Sequence, residues 1–253
     1  MSELVHRRTE DGVSTITLDS PANRNALSAA LRAQLREHLT AAAQDEATRV
    51  VVLSHTGPVF CSGMDLREAR GLGAQDAAVL DLPAILEAIW THPKPVLARV
   101  AGPARAGGVG IVAACDIALA AESATFAFTE VRIGVTPAVI SAVIRPRMLP
   151  RAVHELFLTG ETFDARRAER TGLITAAVPA ERLGAEVDRY TAMLRLGAPG
   201  ALAGTKQLLS TPPATDLAAE LAVQAERSAR YFAAAEAAEG MRAFAEKRPP
   251  AWT

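Results

Sequence analysis

Apolar and polar residues alternate along the first half of the chain in patterns that predict both strands and helices. Val13–Leu18 alternates apolar with polar residues, which predicts a half-buried strand, and the short apolar run 49–53 predicts a buried one. Between these strands, leucines recur at the spacing of one helix face: Leu31, Leu35 and Leu39. Ser28 stands before them as a helix N-cap, so we predict a helix over 29–43.

The same succession of elements continues as far as Ala120. We predict a helix over 76–91 and then a strand over 94–100. The segment 107–114 is small and apolar, and it leads into another predicted strand over 116–120. Strands that alternate with helices are typical of an α/β core in which the strands pair in parallel.

The pattern of the second half predicts mainly helices. Thr136 and Pro137 form a pair expected at a helix start, an N-cap followed by proline at the first helical position. Further helices are expected to open at three more residues: Pro150, Asp164 and Glu181. From Pro199 onward we expect only helix, including the alanine-rich run 216–245, whose larger apolar residues form one face.

Composition narrows the possible classes of function. The 253 residues suit one large domain or a domain with a small appendage, and 49% of them are apolar. With 27 basic and 28 acidic side chains, the sequence gives no electrostatic reason to expect a nucleic acid or an anionic membrane as a partner. The two cysteines, Cys61 and Cys115, are few for a disulfide-stabilised chain of this length.

Neither a secretory signal nor a membrane span is expected. Residues 1–10 are charged and lack an apolar core, which argues against a signal peptide. The longest apolar stretch, 96–121, is interrupted by Arg99, Arg105 and Asp116, which argues against a membrane span. We therefore expect a soluble cytoplasmic protein.

Two loops and one acidic residue are the candidates for chemistry. Residues 57–66 (GPVFCSGMDL) and 102–110 (GPARAGGVG) each lie between a predicted strand and a predicted helix. Backbone N–H groups at such turns lack intrahelical partners, and small residues let a ligand approach them. Glu130 is flanked by apolar residues, which suits a carboxyl group with a raised pKa and a role in acid/base catalysis.

Each candidate also has an ordinary structural interpretation. The first loop could be a plain strand-to-helix turn, and the glycines of the second could serve close helix packing. The second loop also lacks the GxGxxG and GK[ST] patterns of phosphate-binding loops. A single glutamate such as Glu130 is most often a surface carboxylate.

Taken in order, five segments of the sequence resemble the crotonase (enoyl-CoA hydratase/isomerase) superfamily. They are 16–27 (ITLDSPANRNAL), 60–66 (FCSGMDL), 102–116, 126–137 and 158–179 (LTGETFDARRAERTGLITAAVP). The resemblance implies an α/β fold with a spiral core of ββα units, over 1–195 in this chain. It also implies a helical C-terminal trimerisation region over 196–253 and assembly into a homotrimer or homohexamer.

The same resemblance assigns roles to residues. The backbone N–H groups of Met64 and Gly107 bind the thioester carbonyl of an acyl-coenzyme A substrate and stabilise its enolate, with Glu130 as the acid/base group. Six residues match the stretches that line the CoA and pantetheine path: Arg24, Ala26, Ser62, Asp65, Leu66 and Ala106. Lys206 resembles a lysine that can approach the CoA phosphates, although a solvated surface lysine is an equally good interpretation. No metal and no cofactor are expected, since coenzyme A is part of the substrate.

One departure from the family pattern bears on the reaction. Two-carboxylate hydratases carry a second glutamate three residues after the oxyanion glycine, and this chain has Gly110 there. The leading hypothesis is a 2-enoyl-CoA hydratase with Glu130 as its acid/base group. The alternatives are a 3-enoyl-CoA to 2-enoyl-CoA isomerase that uses Glu130 as the single proton shuttle, and an acyl-CoA-binding protein with little turnover. Decarboxylation, dehalogenation and thioester hydrolysis are also compatible with the scaffold.

Overall fold

The computed structural model describes residues 3–69, 77–211 and 216–253, and it has an α/β architecture with a helical C-terminal region. In these ranges the strands are β1 (Val5–Glu10), β2 (Val13–Leu18), β3 (Val50–His55), β4 (Val96–Val100), β5 (Ala104–Arg105), β6 (Ile117–Ala121), β7 (Thr125–Ala127), β8 (Phe163–Asp164) and β9 (Ala176–Val178). The helices are α1 (Ala29–Gln44), α2 (Leu66–Ala69), α3 (Ala77–Trp90), α4 (Gly107–Ala114), α5 (Ala138–Ile144), α6 (Pro150–Thr159), α7 (Ala165–Arg170), α8 (Leu183–Arg195), α9 (Pro199–Ser210), α10 (Leu217–Phe232) and α11 (Ala235–Glu246).

The central sheet has the strand order β1-β2-β3-β4-β6-β9. β1 and β2 form an antiparallel hairpin, and every later neighbouring pair is parallel. The parallel pairing predicted from the alternation of strands and helices is therefore confirmed. β5, β7 and β8 form a second, smaller sheet, in which β5 runs parallel to β7.

Helices cover both faces of the central sheet. On one face α1 packs against α3 and α3 against α4, and the leucines that predicted α1 are buried in this core: Leu31, Leu35 and Leu39. On the other face a smaller cluster joins Val52, Leu97 and Leu119 of the sheet to Leu183 and Val187 of α8. Coverage on both faces is what a parallel sheet requires, because its strands are apolar on both sides.

The capping residues of two helices were predicted with different success. Ser28 caps α1, since its Oγ accepts the N–H of Leu31 at 3.3 Å. The prediction for α5 was wrong, because the carbonyl of Pro137 accepts the N–H of Ser141 at 3.0 Å. Pro137 is therefore the N-cap in place of Thr136, and the helix starts one residue later than expected.

The C-terminal region is helical as predicted, with one break in the alanine-rich run. The expected helix over 216–245 is divided into α10 and α11, which are separated at Ala233 and Ala234. Within the three described ranges, no helix has both the length and the apolar character needed to cross a membrane.

Lys206 of α9 is buried and is not a solvated surface lysine. Its side chain is 8% exposed, and its Nζ lies 2.7 Å from Oδ2 of Asp116. The same Nζ donates to the carbonyl oxygens of Ile89 at 3.0 Å and Lys94 at 3.3 Å. Lys206 therefore joins α9 to the end of α3 and to the edge of the central sheet where β4 and β6 begin.

Candidate functional site

In the structure the first loop runs over 56–65, between β3 and α2. It is held in place by the buried side chain of Asn25. The Nδ2 of Asn25 donates to the carbonyls of Thr56 (3.0 Å) and Val59 (2.8 Å), and its Oδ1 accepts the N–H of Ser20 (2.7 Å). Asn25 is fully buried and has φ of 53°, a backbone region that asparagine tolerates better than most residues. The sequence pattern gives no signal for Asn25, because its role depends on contacts more than thirty residues away.

The segment 24–27 pairs with the first loop like a short parallel strand. Ser62 donates its N–H to the carbonyl of Arg24 at 3.1 Å, and Leu27 donates to the carbonyl of Gly63 at 2.8 Å. Leu27 and Met64 form a parallel bridge. In such a bridge Leu27 bonds to the residues that flank Met64, so the N–H of Met64 points away from Leu27. Within the described residues, that N–H has no hydrogen-bond partner.

The second loop runs along the first one and then enters α4. Arg105 donates its N–H to the carbonyl of Cys61 at 2.9 Å, and Ala106 donates to the carbonyl of Ala127 at 3.0 Å. Ala106 is the N-cap of α4 and has φ of 48° and ψ of −119°, a strained conformation for a residue with a Cβ. Gly107 follows as the first residue of α4, where a backbone N–H has no intrahelical partner.

The two loops meet at Gly63 and Gly107. Gly63 has φ of +89°, and a Cβ added to it would lie 3.1 Å from the carbonyl oxygen of Arg105 and 3.6 Å from the amide nitrogen of Gly107. The backbone of the first loop therefore lies against the start of α4. This contact places the residue before Met64 beside the amide of Gly107. The convergence of the N–H groups of Met64 and Gly107 on one oxygen stays a prediction of the sequence.

Glu130 lies on the segment that continues from this contact. It opens a 3₁₀ turn, Glu130–Ile133, three residues after Ala127, the partner of Ala106. Its side chain is half-buried, and its Oε2 is buried with no hydrogen-bond partner in the described part of the chain. Burial raises the pKa of the Glu130 carboxyl, because desolvation disfavours the charged form. A raised pKa makes a carboxylate a stronger base, which suits a group that takes up and releases a proton during catalysis.

The position of the second family glutamate is filled by apolar side chains. A Cβ added to Gly110 would lie 2.6 Å from Cγ2 of Ile140 and 3.5 Å from Cδ2 of Leu86. Ile140 and Leu86 are 2% and 3% exposed. A glutamate at position 110 would therefore collide with Ile140 of α5 and Leu86 of α3, so apolar side chains fill the space of the second family glutamate.

A cleft of about 380 Å³ opens beside Met64. It is lined by Ala22, Asn23, Arg24, Ala26, Ser62, Met64, Asp65 and Arg67. Four of the six residues expected along the CoA path are among them: Arg24, Ala26, Ser62 and Asp65. Ala106 does not line this cleft but directly precedes Gly107, and of Leu66 only the backbone, at the start of α2, is described. A larger hollow of about 590 Å³ between β1, β2 and α8 includes none of the candidate residues.

Cys61 lies in the first loop but does not have the properties of a nucleophile. Its side chain is fully buried, and burial raises the pKa of the thiol to about 12. The thiol therefore stays protonated at neutral pH, and a protonated thiol is a poor nucleophile. Cys61 is a packing residue, and a Cβ added to Gly108 would lie 2.7 Å from its Cβ.

Similarity to known proteins extends over nearly the whole chain. The sequence profile of the enoyl-CoA hydratase/isomerase family matches residues 8–253. The mitochondrial enoyl-CoA hydratase domain-containing protein 3 of Mus musculus is 35% identical over 257 residues, which cover 99% of this chain and 84% of that protein. The crystal structure of an enoyl-CoA hydratase from Mycobacterium smegmatis is 32% identical and covers 99% of both chains with a TM-score of 0.93. That of an enoyl-CoA hydratase from Shewanella pealeana is 29% identical and covers 99% of this chain and 96% of the other, with a TM-score of 0.92.

Proposed function

Because the chain belongs to the enoyl-CoA hydratase/isomerase family, we propose that it adds water to the double bond of a 2-enoyl-CoA. The observation that carries the proposal is the contact of Gly63, the residue before Met64, with the start of α4 at Gly107. Beside it stands a buried carboxyl oxygen of Glu130 that has no partner among the described residues. The names of similar proteins, such as the hydratases of Mycobacterium smegmatis and Shewanella pealeana, support hydration over other reactions of the scaffold.

The N–H groups of Met64 and Gly107 donate hydrogen bonds to the thioester oxygen. As water attacks the β-carbon, electrons of the double bond move toward this oxygen and an enolate forms. The two donors stabilise the enolate because they are fixed by the surrounding backbone before the charge develops. Loss of one donor of this type typically costs about 3 kcal/mol of transition-state stabilisation.

Glu130 moves the protons. Its carboxylate accepts a proton from water while the water oxygen bonds to the β-carbon, and a proton from the resulting acid goes to the α-carbon of the enolate. The product is a 3-hydroxyacyl-CoA, and Glu130 returns to its starting state. Burial raises the pKa of Glu130 toward the pH of the reaction. This favours both the uptake of a proton from water and its transfer to the α-carbon.

The CoA part of the substrate lies in the cleft of about 380 Å³ beside Met64. Arg24 and Arg67 line this cleft and offer positive charge to the phosphates. Asp65 lies there too, and its Oδ1 accepts the N–H of Arg67 at 2.9 Å. Ser62 and Ala26 are small enough to leave room for the pantetheine arm.

A 3-enoyl-CoA to 2-enoyl-CoA isomerase is the second candidate, and the apolar packing at Gly110 favours it. Ile140 and Leu86 fill the space of a second carboxylate, and neither of these side chains can accept a hydrogen bond from water. Isomerisation needs no water, because Glu130 takes a proton from the α-carbon of the 3-enoyl substrate and returns it to the γ-carbon.

One assay separates these reactions. Purified protein is given 2-enoyl-CoA and 3-enoyl-CoA substrates of several chain lengths, and products are separated by liquid chromatography and identified by mass spectrometry and NMR. Hydration adds the mass of water to the 2-enoyl substrate, whereas isomerisation moves the double bond without a change in mass. Glu130→Gln is expected to lower kcat by about 10²- to 10⁴-fold, the usual contribution of a general acid/base.

The matched control is Glu122→Gln, which removes an exposed carboxylate in an ion pair with Arg166. We expect its kcat to equal that of the unmodified protein. Water addition that persists in Glu130→Gln would contradict the assigned role of Glu130. Binding of acyl-CoA without turnover of any substrate would show that the chain is an acyl-CoA-binding protein.

We also propose that the chain assembles into a homotrimer or a pair of trimers. Large apolar side chains are exposed on the C-terminal helices and on the turn after Glu130: Val131, Ile133, Val135, Leu209, Leu217, Leu221, Phe232, Met241 and Phe244. Exposed apolar residues in this number are typical of a protein–protein interface. Light scattering is expected to give three or six times the chain mass of 26.6 kDa, and a monomer at micromolar concentration would contradict the proposal.

A further inference from the structure

Arg32 of α1 is a charged residue in an apolar setting. Its side chain is 2% exposed, and its helix packs its leucines into the main core. One guanidinium nitrogen, Nη1, donates to the carbonyl oxygen of Leu27, and the other, Nη2, lies 3.7 Å from Oδ2 of Asp81 on α3. Its Nε is buried and has no partner among the described residues. Burial of a charged group in so few contacts costs stability, since an apolar side chain of similar size fills the same space without that cost.

Leu27, the partner of Arg32, contacts both proposed oxyanion donors. Its backbone pairs with the first loop, through the hydrogen bond to Gly63 and the bridge to Met64. Its side chain lies under the start of α4, where Cδ1 would be 3.1 Å from a Cβ added to Gly107. A shift of Leu27 would therefore displace the donor of Met64 and that of Gly107 together.

Asp81, the second partner of Arg32, is next to the other residue that supports Gly107. Cδ2 of Leu82 would be 3.2 Å from a Cβ added to Gly107, so Leu27 and Leu82 flank this glycine. Leu27 precedes α1 and Leu82 belongs to α3. Arg32 thus connects the two segments whose leucines fix the position of Gly107.

We propose that Arg32 is a positioning residue for the oxyanion hole. It holds the carbonyl of Leu27 and, through Asp81, fixes α3 against α1, so that the N–H groups of Met64 and Gly107 stay aimed at one oxygen. The inference rests on the proposed function, because it assigns a role in placing the donors of that site. It also accounts for a buried arginine at a position where an apolar side chain would stabilise the fold more.

The test measures the polarisation of a bound carbonyl, so it does not depend on turnover. Butanoyl-CoA labelled with ¹³C at the carbonyl is bound to the full-length protein, and its C=O stretch is recorded by difference infrared spectroscopy. Two well-placed donors lower the frequency of this stretch relative to the ligand in water. The variants are Arg32→Met, Arg32→Lys and Asp81→Asn, and kcat and KM are measured for the same proteins.

The matched control is Arg7→Met. Arg7 is a partly buried arginine of β1 whose Nη1 lies 2.9 Å from Asp45, and it contacts neither loop of the site. We expect Arg32→Met to lose part of the frequency shift and about tenfold in kcat with KM within about twofold, because misplaced donors weaken transition-state binding more than ground-state binding. Arg32→Lys keeps the charge, and we expect its frequency shift and its kcat to lie between those of Arg32→Met and the unmodified protein.

The outcomes separate this inference from the proposed function. If the unmodified protein binds butanoyl-CoA without lowering its C=O frequency, the oxyanion hole itself is wrong and both fall. If the unmodified protein and Arg32→Met lower the C=O frequency of the bound ligand equally, Arg32 has only a structural role and this inference alone is overturned. If Arg32→Met does not fold, Asp81→Asn replaces it in the test, because Asp81 is 38% exposed and asparagine has nearly the same shape as aspartate. A C=O frequency in Asp81→Asn equal to that in the unmodified protein then overturns the inference.

Discussion

Gly63 shows how a single residue allows two distant loops to meet. Its φ of +89° is accessible to glycine at little cost, and a Cβ there would lie 3.1 Å from both the carbonyl oxygen of Arg105 and the Cβ of Ala106. Ala106 is itself at φ of 48°, which costs a residue with a side chain roughly 1–3 kcal/mol. Backbone strain of this kind persists only where surrounding contacts hold it. The strained residue, Ala106, directly precedes Gly107, the proposed donor.

We expect Gly63→Ala to lower both stability and activity. The added methyl group pushes against the backbone at Arg105, so we expect a loss of about 1–3 kcal/mol in the free energy of unfolding, together with a lower kcat. Gly184→Ala is the control, since a Cβ there meets nothing within 4 Å and its φ is not positive. That change is expected to raise stability by about 0.5–1 kcal/mol, and equal effects of the two substitutions would contradict the strained contact.

The raised pKa of Glu130 predicts a pH-dependent difference between the unmodified protein and Glu130→Gln. Burial raises the pKa of Glu130 in the folded state above its value in the unfolded chain. The unfolded state then loses its proton first, so this carboxyl destabilises the fold as pH rises through its two pKa values.

Thermal unfolding between pH 4 and pH 8 measures this effect. We expect Glu130→Gln to have the higher Tm near neutral pH, and the difference to vanish as pH falls below the ordinary carboxyl pKa of 4.5. The opposite sign, with Glu130→Gln less stable near pH 8, would mean that the charged form has a partner in the folded protein.

At the scale of elements, one buried cation fixes α9 to the rest of the fold. Lys206 connects the end of α3, through the carbonyl of Ile89, with Asp116 before β6. Asp116 in turn accepts the N–H of Val96 at 2.7 Å, so the same carboxylate also holds the start of β4. Lys206 and Asp116 are 90 positions apart along the chain, which explains why the sequence pattern did not reveal the pairing.

We expect Lys206→Met to destabilise the fold by about 1–3 kcal/mol, because it removes the buried cation that pairs with Asp116 and donates to two carbonyl oxygens. Lys247→Met, at an exposed position after α11, is the control and is expected to change the free energy of unfolding by less than about 0.5 kcal/mol. Urea denaturation of Lys206→Met, of Asp116→Asn and of the double variant Lys206→Met/Asp116→Asn gives the coupling energy between the two side chains. Strict additivity in that double variant would contradict a direct interaction.

At the scale of the whole molecule, local sequence patterns predicted the strands and helices better than they predicted the contacts between them. The leucines of α1 and the alternation in β2 are local signals, and both elements are present. β1 (Val5–Glu10) was missed because only one of its residues, Val5, is fully buried, although Asp11 and Gly12 have the positive φ values of a two-residue hairpin turn. The crotonase-like fold that the resemblance implied is confirmed by solved structures with TM-scores above 0.9.

The site was predictable in its parts and not in its assembly. The two loops and Glu130 are recognisable from glycines and from an acid among apolar residues. The contacts that position them are long-range: Asn25 under the first loop, Ile140 against Gly110, and Arg32 on Leu27. Periodicity and spacing describe neighbours in sequence, so contacts of this kind emerge only when the chain is folded.

In the proposed reaction, Met64, Gly107 and Glu130 together form and protonate a thioester enolate. Exchange of the α-hydrogen with solvent tests it most directly, because both hydration and isomerisation pass through the enolate. A 3-hydroxyacyl-CoA and a 3-enoyl-CoA are each incubated with the protein in D₂O, and deuterium at the α-carbon is measured by mass spectrometry and NMR. We predict incorporation of one deuterium at a single face of the α-carbon of at least one of the two, lost in Glu130→Gln and kept in Glu122→Gln. Binding of both ligands without exchange at the α-carbon would contradict enolate formation at this site. Exchange that is unchanged in Glu130→Gln would contradict the role of Glu130.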